Sequence, residues 1–198
     1  APFEIGRIHA FTRGWLEREC DFLHMTYKFL LGLLKAGLYE EFFAECRTNL
    51  VCNMKPGVDG RSTLENSSFI VPTCNPDPTI HGKGYFARLT GANAEFVEMM
   101  TILFAGSRPF AVNGSGALEF CPAPKLPAYM FDAQNRASYT LFGHTTVVYV
   151  NPRHLDCYKG VRLTYDLDGR KMAAVVGPDA LALRAGKVKT VTALVSAI

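Results

Sequence analysis

A turn of small residues directly precedes a helical pattern near the middle of the chain, and it has the features of an anion site. The residues are Thr90-Gly91-Ala92-Asn93, and the apolar periodicity that follows predicts a helix over 93–104. Unpaired backbone N–H groups and the positive end of the helix dipole meet at a helix start, which favours an oxyanion such as phosphate. The residues leave a second interpretation open, in which Thr90 or Asn93 is an ordinary N-terminal cap.

Two histidines are candidates to face such an anion. His24 lies among apolar residues of the first predicted helix, and His81 lies in the glycine-flanked loop His81-Gly82-Lys83-Gly84. Each also has an ordinary interpretation, His24 as a hydrogen-bonded core residue and His81 as a loop residue bonded to backbone. Arg88, two residues before Thr90, either adds charge to the same site or pairs with Glu95.

Polar residues of the preceding segment are suited to a different ligand. Arg61, Glu65 and Asn66 carry the donors and acceptors that sugar hydroxyls require. The alternative is a structural network that holds the long loop in place.

The hydrophobic periodicity changes along the chain. Spacings of three and four predict helices from about Trp15 to Gly106, with the first ending at Gly37 and a second over 38–46. Between the second and third helices, residues 49–91 show little periodicity. After Arg108 the chain alternates as strands do, and the predicted strands are 117–120, 128–131, 138–142, 145–150, 161–167, 171–176 and 187–195.

Composition limits the classes of function. The 198 residues carry a net charge of +3 without a basic run, which argues against a nucleic-acid partner. The six cysteines show no metal-ligand spacing, so we expect no metal site; free thiols favour a reducing compartment. The longest apolar run, residues 29–34, is too short to span a membrane.

Three motifs together resemble a known family. They are Leu64-Glu65-Asn66-Ser67-Ser68-Phe69, His81-Gly82-Lys83-Gly84 and Leu89-Thr90-Gly91. This combination is similar to the end of the catalytic domain in inverting β-glucan phosphorylases, relatives of cellobiose phosphorylase. The residues after Gly91 depart from the cellobiose type and favour the 1,2-β- and 1,3-β-oligoglucan phosphorylases.

The resemblance implies an α + β fold in two domains. Residues 1–107 would be the terminal helices of an (α/α)6 barrel, and residues 108–198 a small antiparallel β-sandwich or jelly roll. Those enzymes are several times longer than this chain. We therefore expect the rest of the barrel, in the same or another chain, as a partner; a homodimer is also compatible with the resemblance.

The resemblance also implies a reaction, the cleavage of β-glucan oligosaccharides by inorganic phosphate to give glucose 1-phosphate with inversion. It assigns phosphate binding to His24, Thr90 and Gly91, and leaves Arg61, Glu65, Asn66, His81 and Arg88 as substrate-binding candidates. No cofactor is implied beyond phosphate as co-substrate, and the location would be cytoplasmic. The general acid would lie upstream of Ala1, so the chain alone is expected to be inactive. A non-catalytic carbohydrate-binding or scaffolding module is the alternative.

Overall fold

The computed structural model describes residues 3–60, 67–87 and 90–198, and for residues 3, 5, 87, 90 and 91 it describes the backbone alone. The chain forms two compact units, Ala1–Met99 and Met100–Ile198. Both contain helices and strands, so the fold is mixed α and β, with mostly antiparallel sheets. The domain assignment at 1–107 and 108–198 stays a prediction.

The first unit contains two successive helices, α1 (Leu23–Ala36) and α2 (Tyr39–Asn49). Helix α1 ends at Gly37, as predicted, because this residue has a φ of 78° and donates its N–H to Leu34 O (3.2 Å). The buried residues of both helices recur at the helical spacing; they are Leu23, Tyr27, Leu30, Leu31 and Leu34 in α1, and Phe42, Phe43 and Cys46 in α2.

The predicted start of the first helix, near Trp15, is wrong. Residues Leu16 and Glu19 have φ values of 49° and 59°, which a right-handed helix does not allow. The Trp15 ring instead packs against two aromatic rings of a sheet, Phe69 at 5.1 Å and Tyr85 at 4.8 Å between centroids. The segment before α1 is therefore a turn anchored by an aromatic side chain.

The long segment predicted to lack regular structure contributes to this sheet. Strand β1 (Asp21–Phe22) pairs antiparallel with β2 (Ser67–Ile70), which pairs antiparallel with β3 (Gly84–Ala87). A short helix, α3 (Pro56–Asp59), precedes β2. Strands of two to four residues are too short to show an alternating pattern, so periodicity alone could not find them.

Helix α4 (Thr90–Ala105) begins three residues before the predicted start. Within this helix, Val97 is 64% exposed. The last four backbone carbonyls of α4 all accept hydrogen bonds. These bonds run from Gly106 N to Ile102 O (2.9 Å), from Lys125 N to Leu103 O (2.8 Å), from Tyr149 Oη to Phe104 O (2.7 Å) and from Ala123 N to Ala105 O (3.1 Å). These bonds complete the C-terminal turn of the helix.

The second unit holds two further sheets. The smaller sheet consists of β4 (Phe110–Val112), β5 (Leu118–Phe120) and β10 (Val175–Val176), in the order β10-β5-β4. The larger consists of β6 (Arg136–Leu141), β7 (Thr145–Val150), β8 (Arg162–Leu167), β9 (Arg170–Met172) and β11 (Thr190–Ser196), in the order β6-β7-β11-β8-β9. Only the β7–β11 pair is parallel within these two sheets. One face of the larger sheet is buried, with Val147, Tyr149, Val191 and Ala193 fully so.

Two predicted strands of this unit differ from the structure. Residues 128–131 form a short 3-10 turn, Ala128–Met130, which follows Pro127. Residues 171–176 divide between β9 and β10, which belong to different sheets. Helix α5 (Pro178–Arg184), with Ala180 and Leu183 buried, was not predicted.

All six cysteines are free thiols. Cys46 and Cys157 are buried, and burial raises the pKa of Cys46 to about 12 and that of Cys157 to about 11. Cys52 is exposed, and the other three are half-buried.

Candidate functional site

The three-stranded sheet of the first unit brings two helix starts to one end. Strands β1 and β3 both pair antiparallel with β2, so they run parallel to each other. Helix α1 follows β1 directly, and α4 begins three residues after β3. Phe22, Phe69 and Tyr85 lie in line across the sheet, which fixes the register. We call this the α1/α4 end of the sheet; β2 begins there at Ser67, opposite Ala87.

Helices α1 and α4 continue side by side from this end. The Tyr27 and Phe96 rings are 6.3 Å apart, and Lys28 Nζ lies 3.5 Å from Glu95 Oε1. Further along both helices, Lys35 forms an ion pair with Glu98. From the Lys28–Glu95 pair to the Lys35–Glu98 pair the contacts advance along both helices, so the helices run in the same direction and both begin at the α1/α4 end of the sheet.

Neighbouring helix starts create a positive potential. The first N–H groups of each helix have no partner within the helix, and both dipoles present their positive ends. The N-cap residue of α1 is Phe22, whose side chain has no acceptor atom to offer these groups. The arrangement suits an anion placed between the two N-termini.

Three predicted phosphate ligands belong to this end. His24 is the second residue of α1 and is half-buried. Thr90 and Gly91 are the first two residues of α4, and the structure describes their backbone alone. The sheet thus brings residues that are 66 positions apart in sequence to one end, which periodicity could not predict.

His81 lies at the other end of the strands. It follows the 3-10 turn Pro78–Ile80 and precedes β3. Its Nε2 is 2.8 Å from the carbonyl oxygen of Asn75, so the imidazole is engaged with backbone. This contact matches the ordinary interpretation of His81 as a loop residue.

Four candidate residues, Arg61, Glu65, Asn66 and Arg88, lie outside the described residues, and their roles stay predictions. The proposed partner of Arg88, Glu95, has its Oε1 3.5 Å from Lys28 Nζ.

The first helix predicted from about Trp15 would contain Asp21 together with His24, and for Asp21 this is wrong. Asp21 is on β1, opposite Ile70, and its carboxylate accepts a hydrogen bond from the Thr26 hydroxyl. Burial is the main cause that raises the pKa of Asp21, against the lowering effect of that hydrogen bond.

Sequence reasoning missed Asp59 altogether. This residue ends α3, yet its side chain is 4% exposed. A Cβ added at Gly84 would lie 2.8 Å from Ser67 Cβ and closer still to Ser67 Oγ and an Asp59 carboxylate oxygen. Glycine at position 84 therefore lets Asp59 and Ser67 approach the backbone of β3; a buried acid in a loop gives no sequence signal that would reveal it.

Neither the protein-family models nor the curated proteins contain a match to the chain. Within residues 3–60, 67–87 and 90–198, no helix combines the length and apolar character needed to cross a bilayer. The same residues hold no group of three His, Cys, Asp or Glu side chains arranged to bind a metal ion.

Proposed function

We propose that this chain forms the phosphate-binding part of an inverting β-glucan phosphorylase. The observation that supports the proposal is the pair of neighbouring helix starts, with His24 on α1 and Thr90-Gly91 on α4. It is supplemented by the motifs that resemble the oligoglucan phosphorylases.

The proposed reaction transfers a glucosyl unit to phosphate. A phosphate oxygen attacks the anomeric carbon from the face opposite the glycosidic bond, while a carboxylic acid protonates the departing oxygen. Inversion follows because there is a single displacement. The product is glucose 1-phosphate, and phosphate takes the place that water has in an inverting hydrolase.

The chain would contribute the positively polarised groups that bind phosphate in this site. The N–H groups of two helices and the His24 imidazole would hold the phosphate and offset its charge as it approaches the sugar. We assign the general acid to the remainder of the barrel, in the same or another chain. Accordingly, the 198 residues alone should release no glucose 1-phosphate from laminari- or sophoro-oligosaccharides.

The finer fold assignment belongs to the same proposal. Helices α1, α2 and α4 would be the last helices of an (α/α)6 barrel, and the second unit its closing jelly-roll domain. Exposed apolar side chains on α1, namely Met25 (65%) and Phe29 (55%), support neighbours that complete the barrel. A cytoplasmic location, where phosphate and free thiols coexist, is part of the proposal.

One observation favours the alternative of a carbohydrate-binding module. The larger sheet of the second unit has a groove of about 560 Å³, lined by Thr164, Asp166, Lys171 and Thr192. These side chains could bind sugar hydroxyls without any catalysis. Oligosaccharide binding there, with no phosphate binding at the α1/α4 end, would favour this alternative.

Calorimetric titration of the chain with inorganic phosphate tests the proposal. Loss of a hydrogen bond to a charged group costs about 1.5–3 kcal/mol, so His24→Ala should weaken phosphate binding by about tenfold or more. His81→Ala is the matched control and should leave the affinity unchanged. Equal effects of the two substitutions, or no phosphate binding at millimolar concentrations, would contradict the proposal.

A further inference from the structure

A cleft of about 510 Å³ opens in the first unit, at the end of the sheet where β1 and β3 begin. Its floor is formed by the buried residues Ile70 and Val71. One wall is the last turn of α2, and the other is the segment from residue 53 to Asp59. This volume lies within the range of about 300–1,000 Å³ typical of small-molecule sites.

The cleft carries hydrogen-bond acceptors both at its buried end and nearer its mouth. The Asp59 carboxylate is buried against the backbone of β3, and Asp21 enters the cleft from β1. Asn53 also lines the cleft; its amide nitrogen donates to Cys46 O (2.9 Å), and its amide oxygen accepts a weak bond from the Cys52 thiol (3.9 Å) and has a second lone pair. Together these oxygens favour a ligand that brings several donors. Hydroxyl groups meet this need without placing a second charge in a partly desolvated space.

The rim of the cleft is basic. Arg47, in the last turn of α2, and Lys55, just before α3, both line the cleft and are exposed. Among the residues that the structure describes, neither has a carboxylate within 4.0 Å. Within the described residues these two cations have no carboxylate at ion-pair distance, and at the mouth of a cleft that also holds acceptors they suit an anionic group attached to a polyhydroxyl body.

We propose that this cleft is a second binding site, for a sugar phosphate. The sugar hydroxyls would donate to Asp59, Asp21 and the Asn53 amide oxygen, and the phosphoryl group would face Arg47 and Lys55. The site lies at the opposite end of the sheet from the α1/α4 end. Asp21 is the residue nearest to both sites, since its carboxylate also bonds Thr26 in the first turn of α1, but the other residues named here are not part of the α1/α4 end. Occupancy of the cleft does not require the chain to be a phosphorylase.

The test is calorimetric titration with glucose 1-phosphate, performed in the His24→Ala variant so that the α1/α4 end contributes little. We expect saturable binding, with glucose alone and inorganic phosphate alone each at least tenfold weaker. Arg47→Ala should weaken glucose 1-phosphate binding by about tenfold or more. Arg153→Ala, an exposed arginine of the second unit, is the matched control and should have no effect.

Asn53→Ala supplies a second variant at an exposed position, and it should weaken both glucose 1-phosphate and glucose. Binding that is insensitive to Arg47→Ala and Asn53→Ala would overturn the proposal. Binding of free lysine but not of glucose 1-phosphate would also overturn the proposal, because the acceptor oxygens would then bind an amine. If phosphate binding at the α1/α4 end fails while glucose 1-phosphate still depends on Arg47, the proposed function fails and this site stands.

Discussion

Gly84 is the position where one added methyl group should have the clearest effect on the first unit. In Gly84→Ala, the new Cβ would lie 2.8 Å from Ser67 Cβ, and closer to Ser67 Oγ and the Asp59 carboxylate. Real Cβ contacts below 3.0 Å are essentially never seen, so β2, β3 or α3 must shift. Overpacking of this kind costs about 1–3 kcal/mol, and alanine recovers up to about 1 kcal/mol through the unfolded chain. We therefore expect the free energy of unfolding to fall by about 1–2 kcal/mol.

Gly32→Ala is the matched control, since Gly32 lies inside α1 and, apart from the adjacent backbone of its own helix, no described atom lies within 4 Å of an added Cβ. At this position the same change should raise the free energy of unfolding by about 0.5–1 kcal/mol, because alanine is the better helix former. The assay is urea unfolding followed by fluorescence of Trp15, the single tryptophan, whose ring contacts Phe69 and Tyr85. With a slope of about 1–3 kcal/mol per molar urea, Gly84→Ala should lower the midpoint by roughly 0.5–1 M. A midpoint that rises in both variants would refute the packing around Gly84.

Two predictions concern the second unit, where amide hydrogen exchange in β7 and β11 measures the free energy of unfolding. Tyr149→Phe removes the hydrogen bond to Phe104 O and should lower the free energy of unfolding by about 1 kcal/mol. An unchanged exchange rate would show that this hydrogen bond does not stabilise the unit. For Asp156, the hydrogen bond from Ala128 N (2.9 Å) is the main cause that lowers its pKa below the ordinary 3.8. Its stabilisation is then complete above pH 3.8 and lost as pH falls through the lowered pKa, so Asp156→Ala should cost about 1 kcal/mol at pH 6 and less at pH 3. A cost that grows on acidification would contradict the assigned sign.

Features that depend on local chemistry were predictable from sequence. The end of α1 follows from Gly37, and the bounds of β7, 145–150, follow from the alternation of its residues and the flanking glycine and asparagine. Each signal lies within a few residues, where glycine conformation or side-chain periodicity decides the backbone.

The arrangement of the candidate site was not predictable, because it depends on long-range pairing. Two residues of β1 and four of β3 meet through β2, and no local pattern encodes that register. The α1 start shows the same limit: the apolar spacing continues back to Leu16, but the Trp15 ring contacts with β2 and β3 override it. The mixed polar and apolar lining of the cleft proposed to bind a sugar phosphate likewise combines residues from separate stretches, namely Asp21, 47–59, 70–73 and Gly82.

The central claim is that phosphate binds between the N-termini of α1 and α4. The most direct measurement is an amide NMR titration of the chain with phosphate, with chloride at equal ionic strength as the control. The proposal predicts that the largest shift changes fall on residues 23–25 and 90–92, saturate with one dissociation constant, and diminish together in His24→Ala. Shift changes centred on His81 or on Arg47 and Lys55, with residues 23–25 and 90–92 unaffected, would contradict it.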